Sequence, residues 1–263
     1  MNPLVTATEL AGLLGSATVL DVRWQLGGPP GAEEHRRGHV PGAVYVDLET
    51  DLADPPGPTG RHPLPETGRF QAAMRRAGVY EGRPVVVYDA VGGTSAARCW
   101  WLLRHHAHPD VRVLDGGLQA WVATGGEVEE GETRAEPGDF TARPGRMPVL
   151  DAGGALALAR DGVHRLDLPA EPFGGHVPGA VSLPTSENLT SPTGRFRSRE
   201  ELAATYARAG VAPGRPVGAY CGSGVTAAHD VLALALIGVE AALYPGSWSE
   251  WVTDPSRPVA TGG

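Results

Sequence analysis

The chain has no lysine. All 22 of its basic residues are arginine, which removes a lysine Schiff base and a phosphate-loop lysine from the chemistry open to it. Cysteine is nearly absent: Cys99 and Cys221 are the only two. So few thiols argue against a disulfide scaffold, and zinc sites of the Cys-x-x-Cys type have no ligands. A reducing cytoplasm is the expected setting. No run reaches the roughly 18 apolar residues of a membrane span, and Met1 to Ser16 lacks the basic-then-apolar order of a secretory signal, so no membrane partner is expected. Positive net charge is missing too. At −8 the chain disfavours nucleic acid as its main partner, and an anionic substrate needs a local cluster of arginines.

What is present is length and an aliphatic core. The 263 residues suffice for one large or two ordinary domains, and a hydrophobic fraction of 41% supports real burial. The chain also repeats itself. Gly38-His39-Val40-Pro41-Gly42-Ala43 recurs as Gly175-His176-Val177-Pro178-Gly179-Ala180, and Pro58-Thr59-Gly60-Arg61 as Pro192-Thr193-Gly194-Arg195. Ala77-Gly78-Val79 through Gly82-Arg83-Pro84-Val85 recurs as Ala209-Gly210-Val211 through Gly214-Arg215-Pro216-Val217, and both copies close on a tryptophan, Trp121 and Trp251. A period of roughly 130 residues fits two globular domains and is too long for a solenoid. The expected division is 1–126, a charged Gly- and Pro-containing linker at 127–139, and 140–263.

Short β-rich runs alternate with helical patterns. In the first half strands are predicted at 18–21, 44–46, 85–88 and 111–114, and helices at 6–14, 66–77, 95–105 and 118–124. The alternation predicts two tandem α/β domains, each a mainly parallel sheet flanked by helices, with sites at the carboxyl ends of the strands.

Cys221 falls at such an end. The run 216–220 reads as a buried strand, Ala227–Ile237 as a helix, and Cys221-Gly222-Ser223-Gly224-Val225-Thr226 joins them. A helix start offers unpaired N–H groups and positive partial charge, and successive N–H groups of a Gly-rich turn make a concave anion site. A thiolate there is stabilised and becomes a nucleophile near neutral pH. The blander reading of a cysteine, a small buried hydrophobe, suits Cys99 on its apolar helix face. The repeat aligns Tyr88-Asp89 with Tyr220-Cys221 and Thr94 with Thr226, so the first copy keeps the loop and lacks the nucleophile.

The repeated Gly-His-Val-Pro-Gly-Ala, the silent first copy and the loop 221–227 resemble a two-domain rhodanese-type sulfurtransferase over essentially the whole chain. In active loop it is similar to 3-mercaptopyruvate sulfurtransferases, where the loop reads Cys-Gly-Ser-Gly-Val-Thr; thiosulfate-preferring members usually carry basic residues after the cysteine. The resemblance implies that Cys221 takes a sulfur from a small anionic donor, 3-mercaptopyruvate or alternatively thiosulfate, as a persulfide. Gly222, Gly224, Val225 and Thr226 would cradle it. The acceptor would be cyanide or a small thiol, a thioredoxin-like one among the options. No cofactor or metal is called for. The resemblance further matches Ser223, His62 and Asp47 to a proton relay, and places Trp248 near the loop, with core packing as its alternative. The relatives' two carboxylate-binding arginines are missing from the short segment 167–175, so Arg195, Arg197 and Arg61 are the candidates to replace them, with a solvated surface arginine as the plainer reading of each.

Two other classes fit the sequence less well. A cysteine-dependent phosphatase wants an arginine closing the loop, where this chain has Ala227. A non-enzymatic binding module suits the Asp89 copy and fits poorly with an intact Cys221 loop. His39 and His176, repeated in both copies, are expected to bond backbone, and His105, His106 and His108 to end a helix.

Overall fold

Thr18–Asp21 (β2) and Val85–Tyr88 (β4) are buried along their whole length, as expected of parallel strands covered on both faces. They pair in register, Thr18 with Val85 through Asp21 with Tyr88. Leu4–Val5 (β1), Val44–Tyr45 (β3) and Val111–Leu114 (β5) complete a parallel sheet of order β1-β5-β4-β2-β3. Between the strands run Ala7–Ala11 (α1), Gly31–Arg37 (α2), Thr67–Arg76 (α3), Thr94–His105 (α4) and Gly117–Ala123 (α5). The expected helix at 6–14 stops early, at a Gly12 cap, and its start carries the Thr6–Glu9 capping box. The periodicity misses α2 because His35 is its only buried residue.

The computed structural model describes residues 2–161, 163–166 and 174–261; most of the short segment 167–175 that lacks arginine lies outside them. The second half repeats the first. Val163–Leu166 (β6), Ala180–Ser182 (β7), Val217–Tyr220 (β10) and Ala241–Leu243 (β11) form a parallel sheet of order β11-β10-β6-β7. A parallel bridge from Val149 to Leu243 stands where β1 meets β5 in the first copy. Helices Ala152–Asp161 (α6), Arg199–Arg208 (α7), Ala227–Leu236 (α8) and Ser247–Trp251 (α9) accompany it, with a small ladder of Leu189–Thr190 (β8) and Arg195–Phe196 (β9).

Contacts divide the chain into two units later than the sequence suggests. Unit 1 runs to Met147 and takes in Ser191–Arg195; unit 2 takes Pro148 onward and Pro55–Leu64. The segment 127–139 does not hang as a linker. Glu129 bridges His39, Gly131 N–H donates to Arg36 O (2.9 Å), and Phe140 is buried.

The Gly-His-Val-Pro-Gly turns do the same work twice. Val40 N–H donates to Tyr88 Oη (3.1 Å), and Val177 N–H to Tyr220 Oη (2.9 Å). His39 bridges Glu129 and His176 bridges Ala260 through backbone, and the His39 ring bonds His35 O at 2.8 Å. Each turn thus ties the tail of its unit to the residue just before the loop.

Unit 1 adds a buried ionic knot. Asp21 Oδ2 accepts from Arg23 Nη2 (2.5 Å), His35 Nδ1 (2.9 Å) and Tyr88 Oη (3.0 Å). Burial pushes the Asp21 carboxyl up, but the bonds from His35 and Arg23 outweigh it and hold it below the ordinary carboxylate value. A lowered folded-state value means stability that is fully present above the unfolded pKa and lost as pH falls through the folded one. We expect Asp21→Asn to cost about 3 to 5 kcal/mol at pH 7, with the gap to wild type closing in strong acid. Urea unfolding at a series of pH values reads it; a gap independent of pH would remove the ionic role.

Candidate active site

β10 ends at Tyr220 and α8 begins at Ala227, so Cys221 opens a tight turn between a central strand and a helix N-terminus. Gly224 N–H points back at Cys221 Sγ, 3.1 Å away. Gly224 has φ +80°, and a Cβ there would meet Pro245 O at 2.1 Å, so no other residue fits without moving backbone. The loop carbonyls are occupied elsewhere: Trp248 N–H donates to Cys221 O and Ser249 N–H to Gly222 O, both at 2.9 Å. Cys221 is 2% exposed, Val225 is buried, and Thr226 makes no side-chain cap.

Unit 1 holds the same loop with its anion built in. Asp89 Oδ1 accepts from Val91 N–H (2.9 Å) and Gly93 N–H (2.8 Å), and Oδ2 from Ser95 N–H (2.9 Å) and Ala96 N–H (3.1 Å). Four converging donors at the start of α4 are what a concave anion site at a helix N-terminus predicts. Burial pushes the Asp89 carboxyl up against the pull of these four bonds.

Ser223 and His62 come together. His62 Nδ1 lies 2.8 Å from Ser223 Oγ, and both side chains are buried. His62 arrives on the segment that belongs to unit 2 by its contacts, and that segment is fastened there. Arg61 N–H donates to Ser249 Oγ (2.9 Å), Ser249 Oγ donates to Gly246 O (3.0 Å), and a Cβ on Gly60 would meet Gly246 O at 2.8 Å. Asp47, expected as the third member of the relay, belongs to unit 1. Its Oδ1 accepts from Glu49 and Thr50 N–H (both 2.9 Å) and its Oδ2 from Tyr45 Oη (3.2 Å), which closes its own turn.

The arginines are scattered in role. Arg61 is exposed, and its backbone holds the His62 segment. Arg197 Nη1 lies 3.8 Å from Glu201 of its own helix start. Arg195 belongs to unit 1, its side chain against Gly116. Trp248 is buried in a cluster with Tyr220, Tyr244 and Trp251. Cys99 is fully buried, and burial pushes its thiol up. Among the described residues no group of His, Cys, Asp or Glu side chains is arranged to hold a metal ion, and no helix is long and apolar enough to cross a membrane.

Sequence reasoning misses Ser247. It is fully buried with φ +53°, a left-handed conformation that costs a non-glycine residue of order 1 kcal/mol. Its Oγ accepts from Cys221 N–H (3.1 Å) and donates to Tyr244 O (2.8 Å). The first copy has Gly117 in the matching turn at φ +58°, with Leu118 N–H donating to Asp89 O as Trp248 does to Cys221 O. The signal was there: Gly116-Gly117-Leu118 against Gly246-Ser247-Trp248 is a glycine-to-serine change confined to the copy that has the thiol.

Residues 6–124 and 164–254 match the model of the rhodanese-like domain. The chain belongs to the rhodanese family. It is a sulfurtransferase of that family, working through a cysteine persulfide, and its relatives extend end to end along it. One from Pseudomonas aeruginosa, described as a 3-mercaptopyruvate sulfurtransferase, is 43% identical over 98% of both chains. One from Mycobacterium tuberculosis, described as a thiosulfate sulfurtransferase, is 42% identical over 98% of this chain and 97% of its own. The crystal structure of the 3-mercaptopyruvate enzyme SseA from Escherichia coli superposes with a TM-score of 0.86 at 33% identity, covering 95% of this chain and all of that one.

Ser247→Ala keeps the backbone strain and strands the Cys221 N–H. We expect a loss of about 1 to 3 kcal/mol in stability and slower alkylation of Cys221 by iodoacetamide at neutral pH, with Cys99 silent in both proteins. Equal alkylation rates over the whole pH range would leave Ser247 without a role at the thiol.

Proposed function

We propose that this protein transfers the sulfur of 3-mercaptopyruvate to a thiophilic acceptor through a persulfide on Cys221. The observation that carries this reading is the 2.8 Å contact of His62 Nδ1 with Ser223 Oγ beside the Cys221 loop. The Cys221 thiolate attacks the donor sulfur, the S–S bond forms and the C–S bond breaks with its electron pair on carbon. The resulting pyruvate enolate needs a proton at its methylene carbon, and the proton released from the donor thiol balances it. A serine hydroxyl bonded to an imidazole is suited to carry that proton. Thiosulfate makes no such demand, since its leaving sulfite needs no carbon protonation, and in this reading it is the poorer donor.

The persulfide carries its charge on the outer sulfur. Asp89 supports a place for it: in the first copy a carboxylate takes the N–H groups of the loop and of the first helical turn, and the matching groups in the second copy belong to Ser223, Val225 and Ala227. Cyanide or a small thiol, a thioredoxin-like one included, then attacks that outer sulfur and returns Cys221 as thiolate. Both cysteines are free thiols, and the cycle requires Cys221 reduced, which suits a reducing cytoplasm. Carboxylate recognition falls to Arg61 or Arg197 in unit 2, or to Arg195.

Incubation with 3-mercaptopyruvate should add one sulfur atom to Cys221 by mass spectrometry, and Cys221→Ser should abolish both the adduct and turnover. Persulfide on another residue, or an active serine variant, would overturn the assignment. Ser223→Ala and His62→Ala should each lower kcat/KM for 3-mercaptopyruvate by about 100-fold and leave thiosulfate turnover nearly unchanged. Equal losses on both donors would sink the relay while leaving Cys221 in place.

A further inference from the structure

In unit 1 the chain after Glu129 lies in a groove between the end of α3 and the start of β4. Gly138 N–H donates to Arg75 O (2.8 Å) and Phe140 N–H to Val79 O (3.2 Å). Arg75 Nε donates to Phe140 O (2.8 Å), and Asp139 Oδ1 accepts from Glu81 N–H (2.9 Å). The Phe140 ring is 1% exposed, edge-on to Phe70 at 6.2 Å and tilted against His108 at 5.6 Å. Gly138 passes so close that a Cβ would meet Val79 O at 1.9 Å. The segment is therefore read as Gly-acidic-aromatic: a close backbone pass, a capped N–H, a buried ring.

Unit 2 builds the same backbone groove with two side-on donors removed: Ala207 stands in place of Arg75, and Pro213, which has no N–H, in place of Glu81. Val79 N–H returns to Met74 O and Val211 N–H to Tyr206 O, both at 3.0 Å; Gly78 N–H reaches Arg75 O at 3.0 Å and Gly210 N–H reaches Ala207 O at 2.9 Å. Ala207 and Val211 thus take the places of Arg75 and Val79. Here the groove stands open, a cavity of about 580 Å³ lined by Ala203, Ala207, Val211, Pro213, Ile237 and Val239. No N–H among the described residues donates to Val211 O. Arg215 and Glu240 stand on the rim, one charge of each sign, which complements a segment such as 138–143 with Asp139 before its ring and Arg143 after it.

We propose that this groove is a docking site for an extended segment of another polypeptide with a Gly-x-aromatic sequence like Gly138-Asp139-Phe140. The glycine crosses over the Val211 carbonyl, the backbone bonds Ala207 O and Val211 O, and the ring enters the apolar space that Phe140 fills in the other copy. The site lies at the amino end of β10, whereas Cys221 lies at the carboxyl end, so docking leaves the sulfur chemistry unobstructed.

The probe is a fluorescein-labelled peptide of residues 133–143 titrated with the full chain and read by anisotropy. Saturable binding is expected, weakened at least about tenfold by alanine at the peptide phenylalanine and by Val211→Asp in the protein, with sulfur transfer by that variant unchanged. Should Val211→Asp lower the melting temperature, Ala207→Glu on the exposed face of α7 takes its place. A benzophenone in place of the ring should crosslink to 203–215 or 237–240. Four results would overturn the proposal: no saturation at millimolar protein, binding indifferent to both substitutions, a crosslink beside Phe70 and His108, or a dimer of this chain that Val211→Asp dissociates.

Discussion

Everything at the site depends on a backbone turn that converges its N–H groups on one point at the end of a central strand. Such a turn is costly to leave empty, because each buried donor needs an acceptor. The two copies meet the demand differently. Asp89 supplies a fixed carboxylate and satisfies four donors at once. Cys221 supplies one sulfur, which Gly224 N–H approaches at 3.1 Å. The Asp89 loop is thus a finished anion complex, and the Cys221 loop is the same turn built around a thiol.

Around this turn the two units distribute polarity in opposite ways. Unit 1 fills its interior near the loop with the Asp21–Arg23–His35 knot, whose arginine is spent on an internal carboxylate and on Gly38 O (2.7 Å). In unit 2 the matching tyrosine, Tyr220, accepts from Val177 N–H in the turn of the Gly-His-Val-Pro-Gly motif, and serines hold the loop: Ser223, Ser247 and Ser249. Hydroxyls accept and donate in the same position, so these serines hold backbone in place without themselves carrying charge.

Much of this was legible in the sequence. The central strands β2, β4 and β5 fall on the predicted residues, because buried parallel strands leave short runs rich in Val and Leu. The repeat aligned the Cys221 loop with that of Asp89, and the family resemblance paired Ser223 with His62. Helix α2 is invisible because it buries a histidine and no apolar stripe, and 127–139 reads as a linker because backbone bonds anchor most of it and its buried ring, Phe140, lies just past its end. Ser247 escaped for a subtler reason. A serine after glycine reads as a turn, and only φ shows that it adopts a glycine conformation to reach Cys221 N–H. The segment 167–173, where the relatives' carboxylate arginines would be sought, lies outside the described residues.

The fastening of the His62 segment has a consequence for the order in which the site is born. His62 is synthesised early, yet its partner Ser223 follows 161 residues later and the Ser249 that pins its neighbour Arg61 follows 188 residues later. Ser247, which holds the Cys221 N–H, comes from α9, 26 residues beyond the cysteine. The Asp89 loop carries its own anion, and the four donors that hold it lie within residues 89–96, so it can close as soon as that stretch has emerged. The Cys221 loop cannot. A nascent chain therefore carries the finished loop of Asp89 long before Cys221 meets the serine that holds its N–H.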